Sequence, residues 1–188
     1  MQIERSPDGE RLLTIEEFER LSAGDGRSEL VRGQLLREPP AGFGHGRLAN
    51  RMAFLLTRFV EERGLGEVLA AETGFVLRED PPTVRAPDVA FVAAERIPDP
   101  APRGFGRFAP DLVVEILSST NTASEIQARV VDYLDAGTRL VWVLDPVSRS
   151  VAAYRRGGEM RLLREAEELE GGDVLPGFGV PVADFFVG

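Results

Sequence analysis

Two apolar runs of strand-forming residues, DLVVEILSS from Asp111 and RLVWVLD from Arg139, flank a helix-length segment and constrain this chain more than any other feature in it. Runs so short and so continuously apolar read as strands buried inside a sheet. The segment between them, residues 122–136, carries helical punctuation: Thr122 and Glu125 make a capping box, and Gly137 ends the helix. Earlier strands are expected at about 67–77 and 87–93, separated by the breaker EDPPTVRAP, and SVAAYRR after the DPVS turn pairs with RLVWVLD as a hairpin. Apolar strands around a helix in this order predict an α/β fold with a central mixed sheet flanked by helices. The chain is 188 residues long, which suits a single domain spanning 1–188.

Upstream, TIEEFERL opens on a capping box of Thr14 with Glu17 and reads as a short helix. Residues 28–38 read as a hairpin or a bent strand around Gly33. EPPAGFGHG reads as a loop, and a helix runs from Gly46 to Arg63 with Leu48, Met52, Leu55, Leu56 and Phe59 on its apolar face. Arg47, Arg51 and Arg58 fall beside that face, a row that either tracks a phosphate backbone or is simply a solvated surface. Another Pro- and Gly-rich loop covers about 96–110. Trp142 and Tyr133 read as core, and Phe178, Phe185 and Phe186 require burial against the sheet or a second subunit.

Composition closes several routes. Without cysteine there is no disulfide, thiolate metal site or thiol nucleophile, and His45 is the single histidine. All 22 basic residues are arginine, so no step can use a lysine. A formal charge of −9 argues against a nucleic-acid partner, yet residues 157–188 hold seven acids and two arginines, more than half of that excess. No apolar stretch is long enough for a membrane span, and MQIERSPDGER lacks the apolar segment of a secretion signal, so a cytoplasmic address without a membrane partner is expected.

Two acids sit within strands that otherwise look buried: Asp88 in VRAPDVAFVA and Glu115 in PDLVVEILS. A buried carboxylate is costly unless it is protonated, paired with a cation or bound to a metal. On the following helix, at about 100° per residue, Ile126, Val130 and Tyr133 share one arc with Arg129 on its border. Arg129 is expected to reach back to the carboxylates, leaving two acids to share one fixed cation. That is the minimum set for holding Mg²⁺ and a phosphate together. The plain alternatives are a structural ion pair among the three and an arginine that snorkels at the helix edge.

APDVAF, DLVVEILSSTNTASEIQARVVDYLDAG and VWVLDP, with SELVRGQLLREPPAGFGHGRLANRM before them and LPGFGVPVADFF after, resemble the branch of the PD-(D/E)XK nuclease superfamily that groups restriction endonucleases of unassigned target. The resemblance covers roughly residues 14–186 and implies a restriction endonuclease-like fold that hydrolyses DNA phosphodiester bonds with Mg²⁺ or Mn²⁺. It implies that Asp88 and Glu115 hold the metal, with the carbonyl of Ile116 as third ligand, and that Glu29 and His45 assist. The superfamily's usual lysine, two positions after the glutamate, is here Leu117; this branch carries it on the next helix, where this chain has Arg129. An arginine stays protonated and cannot be a base, but it can orient water and stabilise charge. Glu125 matches a position that is often acidic, but its capping box accounts for it. The expected partners are DNA and a second copy in a homodimer. Two other readings stay open: a nuclease fold that has lost cleavage and binds nucleic acid or protein, and a metal held only for stability.

Overall fold

The computed structural model describes residues 12–22, 27–71, 73–118 and 120–186; the charged amino-terminal stretch MQIERSPDGER lies outside them. α1 (Ile15–Ser22) starts at the expected capping box, with Thr14 N donating to Glu17 Oε2 at 3.0 Å and Glu17 N donating to Thr14 Oγ1 at 3.2 Å. β1 (Ser28–Val31) and β2 (Gln34–Arg37) form an antiparallel hairpin. Its two turn residues, Arg32 and Gly33, both have positive φ (51° and 79°), the conformation whose twist matches the strands on either side.

α2 (Phe43–Glu61) begins three residues before the expected Gly46 and takes Gly44 and His45 into its first turn. Glycines read as loop residues in isolation, but the buried row Leu48, Met52, Leu55, Leu56 and Val60 anchors the helix and extends it through them. The strand expected over 67–77 is instead two strands in different sheets, β3 (Gly66–Ala70) and β4 (Phe75–Arg78). β5 (Thr83–Arg85) lies within the segment read as a breaker and is too short to show a period. β6 (Val89–Ala93), β7 (Leu112–Ile116), α3 (Ala123–Ala136), β8 (Leu140–Asp145) and β9 (Ser150–Arg155) follow as anticipated. α3 has its full Thr122–Glu125 capping box and ends on Gly137 at φ 111°. β10 (Met160–Arg164), β11 (Glu168–Glu170) and β12 (Gly179–Pro181) were not anticipated, since their short, largely exposed sequences carry little apolar pattern.

The strands make a mixed six-stranded sheet in the order β10-β9-β8-β7-β6-β3, in which β7 and β8 run parallel and the other pairs antiparallel. A second sheet, β2-β1-β5-β4, is antiparallel, and β11 pairs with β12. Side chains alternate across the central sheet. Val89, Val114 and Trp142 pack with α2 on one face, and Val113, Val141 and Val143 pack with Val130 and Tyr133 of α3 on the other. Phe178, Phe185 and Phe186 are buried on the α2 face, with Phe178 stacked on Trp142 at a centroid distance of 5.7 Å. The sheet, not a second subunit, covers those rings. Among the described residues no helix is long and apolar enough to cross a membrane.

Candidate active site

The alternation that builds the core also aims the acids. Val114 faces α2, so Glu115, one residue on, faces α3. β6 and β7 pair antiparallel with Val89 opposite Val114, and one step further along brings Asp88 opposite Glu115 on the same face. The second sheet reaches this point because only Ala86, Pro87 and Asp88 itself separate β5 from β6. Glu29 on β1 and Arg85 on β5 therefore arrive beside Asp88, and the inner side of α3 supplies Arg129, Asp132 and Tyr133.

These groups form one continuous chain of ion pairs. Asp132 accepts from Arg85 at 2.6 Å, and Arg85 Nη1 donates to Glu29 Oε2 at 2.8 Å. Glu29 Oε1 accepts from Arg129 at 2.8 Å and from the amide of Ala86 at 2.9 Å. Arg129 also pairs with Glu38 and lies 3.4 Å from Glu115 Oε1, which accepts from the Tyr133 hydroxyl at 2.8 Å. Glu38 lies 3.1 Å from Arg27 Nε, and Arg27 Nη1 donates to Asp88 Oδ1 at 2.8 Å. The other oxygen, Asp88 Oδ2, accepts from the Ile116 amide at 2.7 Å and lies 3.2 Å from His45 Nε2.

All the expected residues, Asp88, Glu115, Arg129, Glu29, His45 and Ile116, thus meet in one place. Their pairing differs from expectation in one respect. Arg129 is not shared by Asp88 and Glu115: Glu29 and Glu38 hold it, and the cation on Asp88 is Arg27. The closer carboxylate holds the guanidinium: Glu29 lies 2.8 Å from Arg129 and Glu115 3.4 Å. Arg27, Glu38, Arg85, Asp132 and Tyr133 were missed. Tyr133 alone carried a signal, since a core tyrosine on the arc facing a buried acid needs a partner for its hydroxyl.

The electrostatics divide the site. Burial would raise the Glu29 carboxyl, but Arg129, Arg85 and the Ala86 amide outweigh it and hold the group at about 2. Burial likewise works against ionised Asp88, and His45, Arg27 and the Ile116 amide keep it below its ordinary value. Glu115 goes the other way: burial and then the charges of Asp88 and Glu29 push it well up. The Tyr133 hydroxyl is also raised by burial and by Glu115, and so stays a donor.

Asp88, Glu115 and Ile116 line a cavity of about 180 Å³ together with Arg27, His45 and Arg129. The network counts five carboxylates (Asp132, Glu29, Glu38, Asp88, Glu115) against three guanidinium groups (Arg85, Arg129, Arg27). The excess is two negative charges with Glu115 ionised, the form its burial disfavours until a cation meets it; a dication would neutralise that pair of charges, and hard carboxylate and carbonyl oxygens suit Mg²⁺ or Mn²⁺. Among the described residues no group of three or more His, Asp and Glu side chains is arranged around a metal position. A metal placed here would meet two carboxylates, Asp88 and Glu115, and would need water for most of its other ligands.

A model of the family described as "Uma2: Putative restriction endonuclease" matches residues 15–183. A solved structure described as a putative nuclease belonging to DUF820 from Anabaena variabilis superposes with a TM-score of 0.81 at 19% identity, covering 93% of this chain and 97% of that one. At that identity the likeness speaks for the fold, and it is the restriction endonuclease-like fold expected. No curated protein matches the chain.

Proposed function

The chain belongs to the family described as "Uma2: Putative restriction endonuclease", and from that premise we propose that residues 1–188 form one domain, its core at about 14–186, that hydrolyses phosphodiester bonds in DNA with Mg²⁺ or Mn²⁺. The observation that carries the reading is the meeting of Asp88, immediately before β6, with Glu115 on β7 in a cavity lined by three carboxylates (Glu38, Asp88, Glu115) against two guanidinium groups (Arg27, Arg129). Asp88, Glu115 and the Ile116 carbonyl would hold the metal. When bound, such an ion offsets charge on the scissile phosphate and lowers the pKa of a coordinated water.

The protein's own groups do the rest. Arg129, fixed by Glu29 and Glu38, presents a permanently protonated guanidinium to the cavity, so it orients phosphate or water and accepts no proton. Glu29 is sealed from solvent and acts through Arg129, as a positioning residue. His45, in the first turn of α2 and against Asp88, is placed to pass a proton to the departing oxygen. Tyr133 keeps the Glu115 carboxylate oriented. A homodimer would supply two such sites for a double-strand cut.

The test is plasmid nicking with Mn²⁺ by the natural chain, Asp88→Ala and Arg129→Lys. Cleavage that disappears in Asp88→Ala supports the reading. One observation favours a second reading, a fold that binds without cutting: Arg27 already occupies Asp88 at 2.8 Å. Cleavage seen only in Arg129→Lys would select that second reading.

A further inference from the structure

The outward face of α2 has a composition the active site does not explain. Phe43, Arg47, Asn50, Phe54 and Arg58 recur at helical spacing and are all exposed. Phe43 is 90% exposed and Phe54 52% exposed. At about 100° and 1.5 Å per residue, the five side chains span an arc of about 80° and a strip about 22 Å long. Arg58 lies over the Phe54 ring, 5.6 Å from its centroid. Arg51, expected in the same row, is excluded, since it is half-buried with Nε donating to the Asp184 carbonyl at 3.4 Å.

Charge sets this helix apart. α2 carries three arginines against Glu61, whereas α1 and α3 each carry three acids against one arginine, in a chain whose formal charge is −9. The strip starts at Phe43, next to the Pro39, Pro40, Ala41 and Gly42 loop that lines the cavity of Asp88 and Glu115. We infer that this face is a docking strip for single-stranded nucleic acid, whose bases stack on Phe43 and Phe54 while its phosphates pair with Arg47 and Arg58. The partner class rests on the nuclease reading; the strip itself rests on the aromatic and arginine alternation. Exposed rings favour a single strand because paired bases in a duplex leave no free face to stack on.

The test uses the full chain and a labelled single-stranded oligodeoxynucleotide of mixed sequence in the presence of a chelator, read by fluorescence anisotropy. Phe43→Ala and Phe54→Ala should each weaken binding by about fivefold or more. Arg47→Glu and Arg58→Glu should flatten its salt dependence. Val147→Ala, which removes another exposed apolar side chain in the turn between β8 and β9, should leave binding unchanged. No binding by the natural chain, unchanged binding by the doubly substituted Phe43→Ala/Phe54→Ala chain, or equal weakening on duplex and single strand would each overturn the strip. So would self-association that the two Phe substitutions abolish while strand affinity stays the same. Cleavage with Mn²⁺ is scored separately. Binding through the strip without cleavage removes the nuclease reading alone, and cleavage with no role for the two rings removes the strip alone.

Discussion

Glu29 and Glu115 are the same residue type, both are buried, and both lie against Arg129, yet one is held at about 2 and the other is pushed well above its ordinary value. Glu29 stands at the closed end of the network, where two guanidinium groups and a backbone amide satisfy it. Glu115 stands at the open end, where its donors are the Tyr133 hydroxyl and one long contact to Arg129, while Asp88 faces it. Burial does not decide the charge of an acid; the number of cations and donors that fold around it does. The closed end is already balanced, and the open end has unfilled demand for positive charge.

The largest test of that contrast is a pair of substitutions. Glu29→Gln removes the carboxylate that Arg85 and Arg129 share, leaving them Asp132 and Glu38 as their remaining close anions, and should cost about 3 kcal/mol in chemical denaturation. Glu115→Gln should change stability by no more than about 1 kcal/mol without metal, because the charge it removes is disfavoured there. Equal losses would erase the distinction.

Acid titration comes next. The folded value of Glu29, about 2, lies below its ordinary 4.5, so its stabilisation is complete above about pH 4.5 and drains as pH falls toward 2. The amount is on the order of 3 kcal/mol. Urea midpoints measured across that window should fall in the natural chain and lose this component in Glu29→Gln; an unchanged pH slope would show that Glu29 is not the buried anion described.

Mn²⁺ should act only at the open end. At a hundredfold excess over its Kd a bound ion adds about 2.7 kcal/mol, seen as a rise in Tm that disappears in Glu115→Gln and persists in a variant outside the site such as Val147→Ala. A rise that survives Glu115→Gln would place the ion elsewhere. The smallest effect is expected from Thr122→Ala. Removing the α3 cap should cost about 1 kcal/mol and loosen Arg129 and Tyr133 together, so both ends should respond alike in hydrogen exchange of α3.

Much of this was readable in the chain, for reasons that differ by element. α3 was legible to the residue because its capping box and Gly137 are local chemistry. β7 and β8 were legible because a strand covered on both faces must be continuously apolar. β5 was not, since three residues show no period and its burial depends on the second sheet. Asp88 and Glu115 stood out as acids in apolar runs. Arg27, Glu38 and Arg85 did not, because an arginine or glutamate in a polar context carries no mark of the partner it will meet.

By itself the sequence determined the alternation of strands and helices, the faces those strands bury and the two acids that must be satisfied somewhere, all consequences of local propensity and of the cost of burying charge. Only the tertiary structure decided which cation serves which acid. Ion pairs act over a few ångströms, and the partners here, such as Glu29 and Arg129 at 2.8 Å, lie about a hundred residues apart along the chain.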